Sequence, residues 1–166
     1  PQVRERVHAE IDEIDGRPTA TDVRGLDYLD RVLSEAMRLY PPVYTVFREP
    51  KTDVRIAGYR IPADSILMLP QWGVHRSERW YDDPLTFDPD RWEPARRADR
   101  PRFAYFPFGG GPRHCIGKQL SLLEAKLILA TVGSEYTLEY EGPTLDLRGS
   151  LTMHPDHPMP MRLRER

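Results

Sequence analysis

The only cysteine in the 166 residues, Cys115, stands in "FPFGGGPRHCIG", Phe106 to Gly117. A lone cysteine cannot close an internal disulfide, and most lone cysteines are small buried core residues. The neighbours here fit a working sulfur better. Gly109, Gly110 and Gly111 allow tight or left-handed backbone, so the chain can come close to something flat and bulky. Arg113 offers an anion a partner two residues before the sulfur. A helical pattern starts just after it, and the positive end of a helix stabilises a thiolate. Zinc needs about four ligands. His114 points away if Cys115 points in, His75, His154 and His157 are scattered, and there is no CxxC or HxxxH pair. A cysteine nucleophile with a histidine base stays open, although no local signature of that chemistry is present. One thiolate is enough for haem, whose porphyrin supplies the other four equatorial ligands.

Phe108-x-x-Gly111-x-Arg113-x-Cys115-x-Gly117 resembles the haem-binding signature of the cytochrome P450 superfamily, with every fixed position filled. "SEAMR" supplies Glu35-x-x-Arg38, similar to the family's ExxR motif. "FDPDRW" resembles its PERF-type segment, with Asp90 for the usual Glu, Trp92 for the usual Phe, and Arg91 kept. Alone, Glu35 and Arg38 would read as an exposed i,i+3 pair worth well under about 1 kcal/mol. On a helical wheel Glu35 flanks the apolar stripe and Arg38 lies nearly opposite it. The ordered trio implies instead a buried structural network of Glu35, Arg38 and Arg91, whose loss of one member costs on the order of 3–5 kcal/mol.

The resemblance implies haem b (iron protoporphyrin IX), with Cys115 as the axial thiolate and catalytic ligand, tuned by backbone N–H groups that follow it. Phe108, Gly111 and Gly117 shape the pocket, and Phe108 packs beside the sulfur or simply in the core. Arg113 and Arg48 are candidates for the haem propionates. His75 either reaches a propionate or is a surface histidine. Val43, Val46 and Leu151 line a hydrophobic substrate pocket or are plain core. The implied reaction is monooxygenation: one oxygen atom of O2 enters a small organic substrate, with electrons from a redox partner of the ferredoxin or flavin reductase type. Lys118 and the arginines near the cysteine loop would dock an acidic partner or form a solvated face. A non-catalytic haem-binding product, and a cysteine-redox or interaction domain without haem, remain as alternatives.

Several elements must position these residues. Val3, Val7, Ile11 and Ile14 predict an amphipathic helix over 2–14, and the apolar stripe from Leu29 to Tyr40 a second one over 26–40, ended by Pro41 and Pro42. Val54, Ile56, Tyr59 and Ile61 alternate around Ala57-Gly58, which predicts a hairpin with another extended piece behind it. "QWGVHRS" reads as a short helix or turn. Residues 77–102 have no period and form a long meander, the kind of loop that carries function or fixed packing. A helix is expected from Lys118 to Tyr136, buried all round at Leu127 to Ala130, followed by short terminal strands. The fold class is mainly α with small β-hairpins (α+β), a single partial domain over 1–166 equivalent to the carboxyl-terminal part of a cytochrome P450. Pro1 opens inside a helical run, which reads as a fragment. The family's distal helix, with its acid–alcohol pair, has no counterpart, and Thr21 in "TATD" does not replace it.

Composition sets outer bounds. The length suits one domain with a real core. A net charge of −2, with 39% hydrophobic and 30% charged residues, is an ordinary soluble balance and gives no footprint for nucleic acid. No apolar run reaches membrane-spanning length. A reduced, cytoplasmic setting is the default expectation.

Overall fold

The computed structural model describes residues 1–166. Helix α1 (Gln2–Ile11) stops short of Ile14, whose N–H turns back onto the Ile11 carbonyl at 3.0 Å. Helix α2 (Asp27–Leu39) starts at Leu26, which has no side-chain oxygen to cap it. Glu10 of α1 does this from outside: its two carboxylate oxygens accept the Tyr28 and Leu29 N–H groups at 2.7 and 2.8 Å. One carboxylate thus satisfies two free donors of the first turn and fixes α1 against α2. Tyr40 and the prolines after it end α2.

Four strands follow: β1 (Val46–Arg48), β2 (Val54–Ile56), β3 (Tyr59–Ile61) and β4 (Leu67–Leu69). The expected hairpin joins β2 to β3, and both turn residues have positive φ, 50° at Ala57 and 87° at Gly58, as a tight two-residue turn requires. β1 pairs antiparallel with β4 around it, Phe47 opposite Met68. The short α3 (Gln71–Val74) leads into the meander, whose regular pieces are a 3₁₀ turn at Pro89–Trp92 and α4 (Pro94–Arg97). Helix α5 (Lys118–Glu135) follows the cysteine loop, and β5 (Tyr136–Tyr140), β6 (Leu147–Gly149), β7 (Met153–Pro155) and β8 (Met161–Glu165) end the chain. β6–β7 is a hairpin nested inside the β5–β8 pair. The architecture is helices with small antiparallel sheets.

The core lies where α1, α2 and α5 meet: Ile11, Val23, Leu26, Leu29 and Ala130 are buried, with Val7, Leu123 and Leu127 packed on them. α5 passes close to α1 at Gly133, where an added Cβ would come within 2.9 Å of Ile11 Cδ1. Two expectations need correction. The stretch Leu127–Ala130 is not buried all round: Ala130 faces the core, but Ile128 on the opposite side is 55% exposed. The core is also small, with 19 of 166 residues buried, and its apolar cluster is confined to the junction of the three helices. Large apolar side chains such as Phe47, Met68, Ile116 and Leu120 lie open.

Candidate functional site

Glu35 and Arg38 project from the last turns of α2 into a dry polar hub with Arg91 from the meander. Their exposures are 0%, 0% and 3%. Glu35 Oε1 accepts Arg38 Nη2 at 2.8 Å, the Asp88 N–H at 2.9 Å and Arg91 Nε at 3.3 Å. Its Oε2 accepts Arg38 Nε at 2.8 Å and the Trp92 indole N–H at 2.9 Å. The spare guanidinium donors go to backbone. Arg38 Nη1 donates to the carbonyls of His75 (2.8 Å) and Pro84 (2.6 Å), and Arg91 Nη1 to that of Asp82 (2.6 Å). Burial alone would push the Glu35 carboxyl up, but the donors from Arg38, Asp88 and Trp92 outweigh it, and its pKa lies below the ordinary carboxylate value. This is how an aperiodic loop keeps one shape: the meander's carbonyls are held by side chains instead of a ladder. The wheel placed Arg38 opposite the apolar stripe. That face of α2 is buried too, because the meander covers it.

A second layer holds the hub from outside. Arg6 of α1 grips Asp90 through two bonds at 2.6 and 2.8 Å. Tyr81 is buried under the Arg38 and Arg100 guanidinium groups, 4.9 and 4.5 Å from its ring centroid, and its hydroxyl donates to the Ala104 carbonyl at 2.8 Å. Burial raises its pKa to about 12, so it stays a neutral donor.

The cysteine loop has the opposite character. Gly109 and Gly111 have φ of 70° and 71°, where a side chain would be strained. At Gly110 an added Cβ would lie 2.5 Å from the Phe103 ring. Short backbone bonds hold the loop's form: Gly109 N–H to Phe106 O at 2.8 Å, His114 N–H to Gly111 O at 3.1 Å, and Cys115 N–H to Phe108 O at 2.9 Å. Cys115 is exposed, and Gly117 leaves open the space beside Sγ, where a Cβ would sit 3.9 Å from the sulfur. The N–H groups after Cys115 make no hydrogen bond to Sγ; the Ser121 N–H turns into α5 and bonds the Gly117 carbonyl. Phe108 is half-buried, with Lys118 Nζ 5.9 Å above its ring.

The remaining predicted residues divide into those brought together and those not. Arg113 is exposed, and Arg48 of β1 is half-buried and donates only to the neighbouring Phe47 carbonyl. Neither pairs with a carboxylate. Val43 and Leu151 are exposed, Leu151 at 95%, and Val46 is half-buried, so none of the three is plain core. Their two segments adjoin: the Tyr44 hydroxyl donates to the Ser150 carbonyl at 2.8 Å, and the Met153 N–H to the Pro42 carbonyl at 2.7 Å. His75 corrects both expectations made for it. It is neither on the surface nor free to meet an anion, but fully buried, and Nε2 accepts the Phe106 N–H at 2.9 Å. Burial, and then the Arg38 charge, lowers its pKa to about 4, so the imidazole is neutral. Sequence reasoning missed Gln71 and the Trp92 indole. An i,i+4 pair of polar residues, Gln71 and His75, was the available sign of the first.

A cleft of about 590 Å³ runs beside the loop, lined by Arg97, Arg100, Arg102 and Lys118 and by no carboxylate. No group of three or more His, Cys, Asp or Glu side chains converges to hold a metal ion. No helix is long and apolar enough to cross a membrane.

Known proteins place this geometry. The profile of the family "Cytochrome P450" matches residues 1–159. Cyclooctat-9-en-7-ol 5-monooxygenase of Streptomyces melanosporofaciens is 40% identical over 83% of this chain and 30% of its own length. Pentalenene oxygenase of Streptomyces avermitilis is 38% identical over 99% of this chain and 37% of its own. Cytochrome P450 4V2 of Rattus norvegicus is 34% identical over the whole chain and 33% of its own. The crystal structure of a mutant cytochrome P450DA heme domain superposes with a TM-score of 0.91 and 34% identity, covering 100% of this chain and 39% of that one. The chain spans about a third of the length of the curated relatives it matches. With the profile covering nearly every residue and the fold superposing throughout, the chain belongs to the cytochrome P450 family.

Proposed function

We infer that residues 1–166 form one structural unit carrying the thiolate-ligand half of a haem monooxygenase, with Cys115 as the residue that would ligate the iron. The observation that carries this reading is the outward presentation of the only cysteine. Its loop is pinned by backbone bonds at Phe106 and Phe108, while the sulfur stays exposed beside a glycine. A buried, inert cysteine would not need such a loop. The surroundings fit haem b. Glycines let the backbone approach a flat macrocycle, and exposed Ile116 and Leu151 offer apolar cover. Arg113 and Arg48, free of carboxylate partners, suit two propionates. Haem, when bound, supplies activation of O2 and transfer of one oxygen atom to an organic substrate.

The chain's own residues do the rest. Cys115 would hold the iron through its sulfur, Phe108 would pack beside the sulfur once haem covers it, and the hub of Glu35, Arg38 and Arg91 fixes the meander that leads into the loop. The joined segments at Pro42–Val46 and Gly149–Met153 present Val43, Val46 and Leu151 to a hydrophobic substrate. The acid-free cleft with Arg97, Arg100, Arg102 and Lys118 suits an acidic electron donor of the ferredoxin or flavin reductase type.

Titrating the protein with hemin and following the Soret band tests the reading. One equivalent should bind, and Arg113→Ala with Arg48→Ala should weaken binding at least about tenfold, the loss of two charge-assisted contacts. Equal binding by the double variant would remove both arginines from the site. Absence of saturable binding by the unsubstituted protein would remove the haem.

A further inference from the structure

Two fully buried polar side chains of α3 and its C-terminal end, Gln71 and His75, lie one helical turn apart and grip the same residue. Gln71 Nε2 donates to the Phe106 carbonyl, and His75 Nε2 accepts the Phe106 N–H at 2.9 Å. Phe106 is the first residue of the cysteine loop. Its carbonyl also takes the Gly109 N–H, so the clamp acts where the glycine turn begins. The acceptor role of Nε2 puts the His75 proton on Nδ1. The ring is wedged between Tyr105 and Phe106, with centroids 5.2 and 5.4 Å away. On its other side the His75 carbonyl receives Arg38 Nη1 at 2.8 Å. His75 is therefore the one residue bonded to both regions, by its backbone to the buried hub and by its ring to the loop.

We propose that His75 and Gln71 are positioning residues that pass the rigidity of the Glu35–Arg38 hub to the cysteine loop and so set where Cys115 is presented. The clamp stands on geometry alone; its consequence for iron rests on the reading of Cys115 as the haem ligand. Between the clamp and the sulfur the chain has three glycines, short backbone bonds and one local side-chain bond, His114 Nδ1 to the Gly111 carbonyl at 3.0 Å, so the loop has little stiffness of its own. A fixed entry point is what makes its geometry unique. Glutamine can place an oxygen where Nε2 lies, whereas phenylalanine keeps the ring and loses the acceptor.

The test compares His75→Phe with His75→Gln in two measurements. In the haem-free protein, amide hydrogen exchange at Phe106 and Cys115 should speed up on the order of tenfold in His75→Phe, with the Ala130 amide of α5 unchanged as reference, and return close to the original rate in His75→Gln. In the haem-loaded protein, reduced and with carbon monoxide, His75→Phe should lose part of the strongly red-shifted Soret band to a less shifted form, and His75→Gln should restore it. A uniform rise in exchange that includes Ala130, or no rise at all, overturns the clamp. If exchange responds as expected but even the unsubstituted protein never shows the red-shifted band, the clamp holds and the ligand reading fails. If the band is present and exchange does not respond, the reverse is true. Should His75→Phe fail to fold, Gln71→Met removes the other half of the grip and is read in the same way.

Discussion

The buried hub and the cysteine loop lie on either side of His75 and solve opposite problems. In the hub every carboxylate and guanidinium of Glu35, Arg38 and Arg91 is bonded, and almost no water reaches them. Such an arrangement is expensive to break because removing one charge strands the others. The loop keeps its cysteine sulfur open and uses glycines and a few backbone bonds for shape. Dense polar packing and open presentation are thus assigned to different residues. A substitution in the hub should cost folding, and one at the sulfur should cost chemistry alone.

The largest effect that could break this contrast is Glu35→Gln. It leaves two buried guanidinium groups without a counter-charge, and denaturant unfolding should show a loss of about 3–5 kcal/mol. A loss under 1 kcal/mol would mean that backbone carbonyls already satisfy Arg38 and Arg91.

Acid should strike the hub side next. The folded pKa of His75, about 4, lies below its ordinary 6.5. Between these values the unfolded chain binds a proton that the folded chain refuses. Stability is therefore complete above about 6.5 and falls by roughly 3 kcal/mol as the pH drops to about 4. The groups facing His75 are the cations Arg38 and Arg76 and the neutral Tyr105, so nothing there welcomes the proton. Glu35, with its lowered pKa, adds a further loss below the ordinary carboxylate range. Unfolding curves across this range should be flatter for His75→Gln than for the original protein.

Trp92→Phe sharpens the comparison within the hub. It removes the indole donor to Glu35 Oε2 together with half of a buried ring system, and should cost about 1.5–3 kcal/mol by thermal unfolding. In the loop, Gly111→Ala forces a side chain onto a φ of 71° and should cost about 1 kcal/mol. The smallest effect is expected at the exposed sulfur itself. Cys115→Ser is exposed and should change haem-free stability by no more than about 0.5 kcal/mol.

Much of this was legible in the sequence where the pattern was local. The β2–β3 hairpin followed from alternation around Ala57-Gly58, and α2 from its apolar stripe and its prolines. The β1–β4 pairing was not legible, since its partners lie on either side of that hairpin and share no turn. The wheel put Arg38 opposite the apolar stripe, because an aperiodic meander gives no sign that it will cover a second face of α2. Only the motif resemblance put Glu35, Arg38 and Arg91 into one group. His75 was misplaced for a related reason: its partner is a backbone N–H thirty-one residues away, which no side-chain pattern records. At Ile128 a run of apolar residues suggested burial, but the helix meets α1 and the turn at Val23 on one side only.

The central claim is that this loop presents Cys115 as a thiolate to haem iron. The absorption spectrum of the haem-loaded, reduced protein under carbon monoxide tests it most directly. A Soret band shifted strongly to the red, lost in Cys115→Ala while haem is still bound, is the expected result. An unshifted band in the original protein, or a shifted band that survives Cys115→Ala, would contradict it.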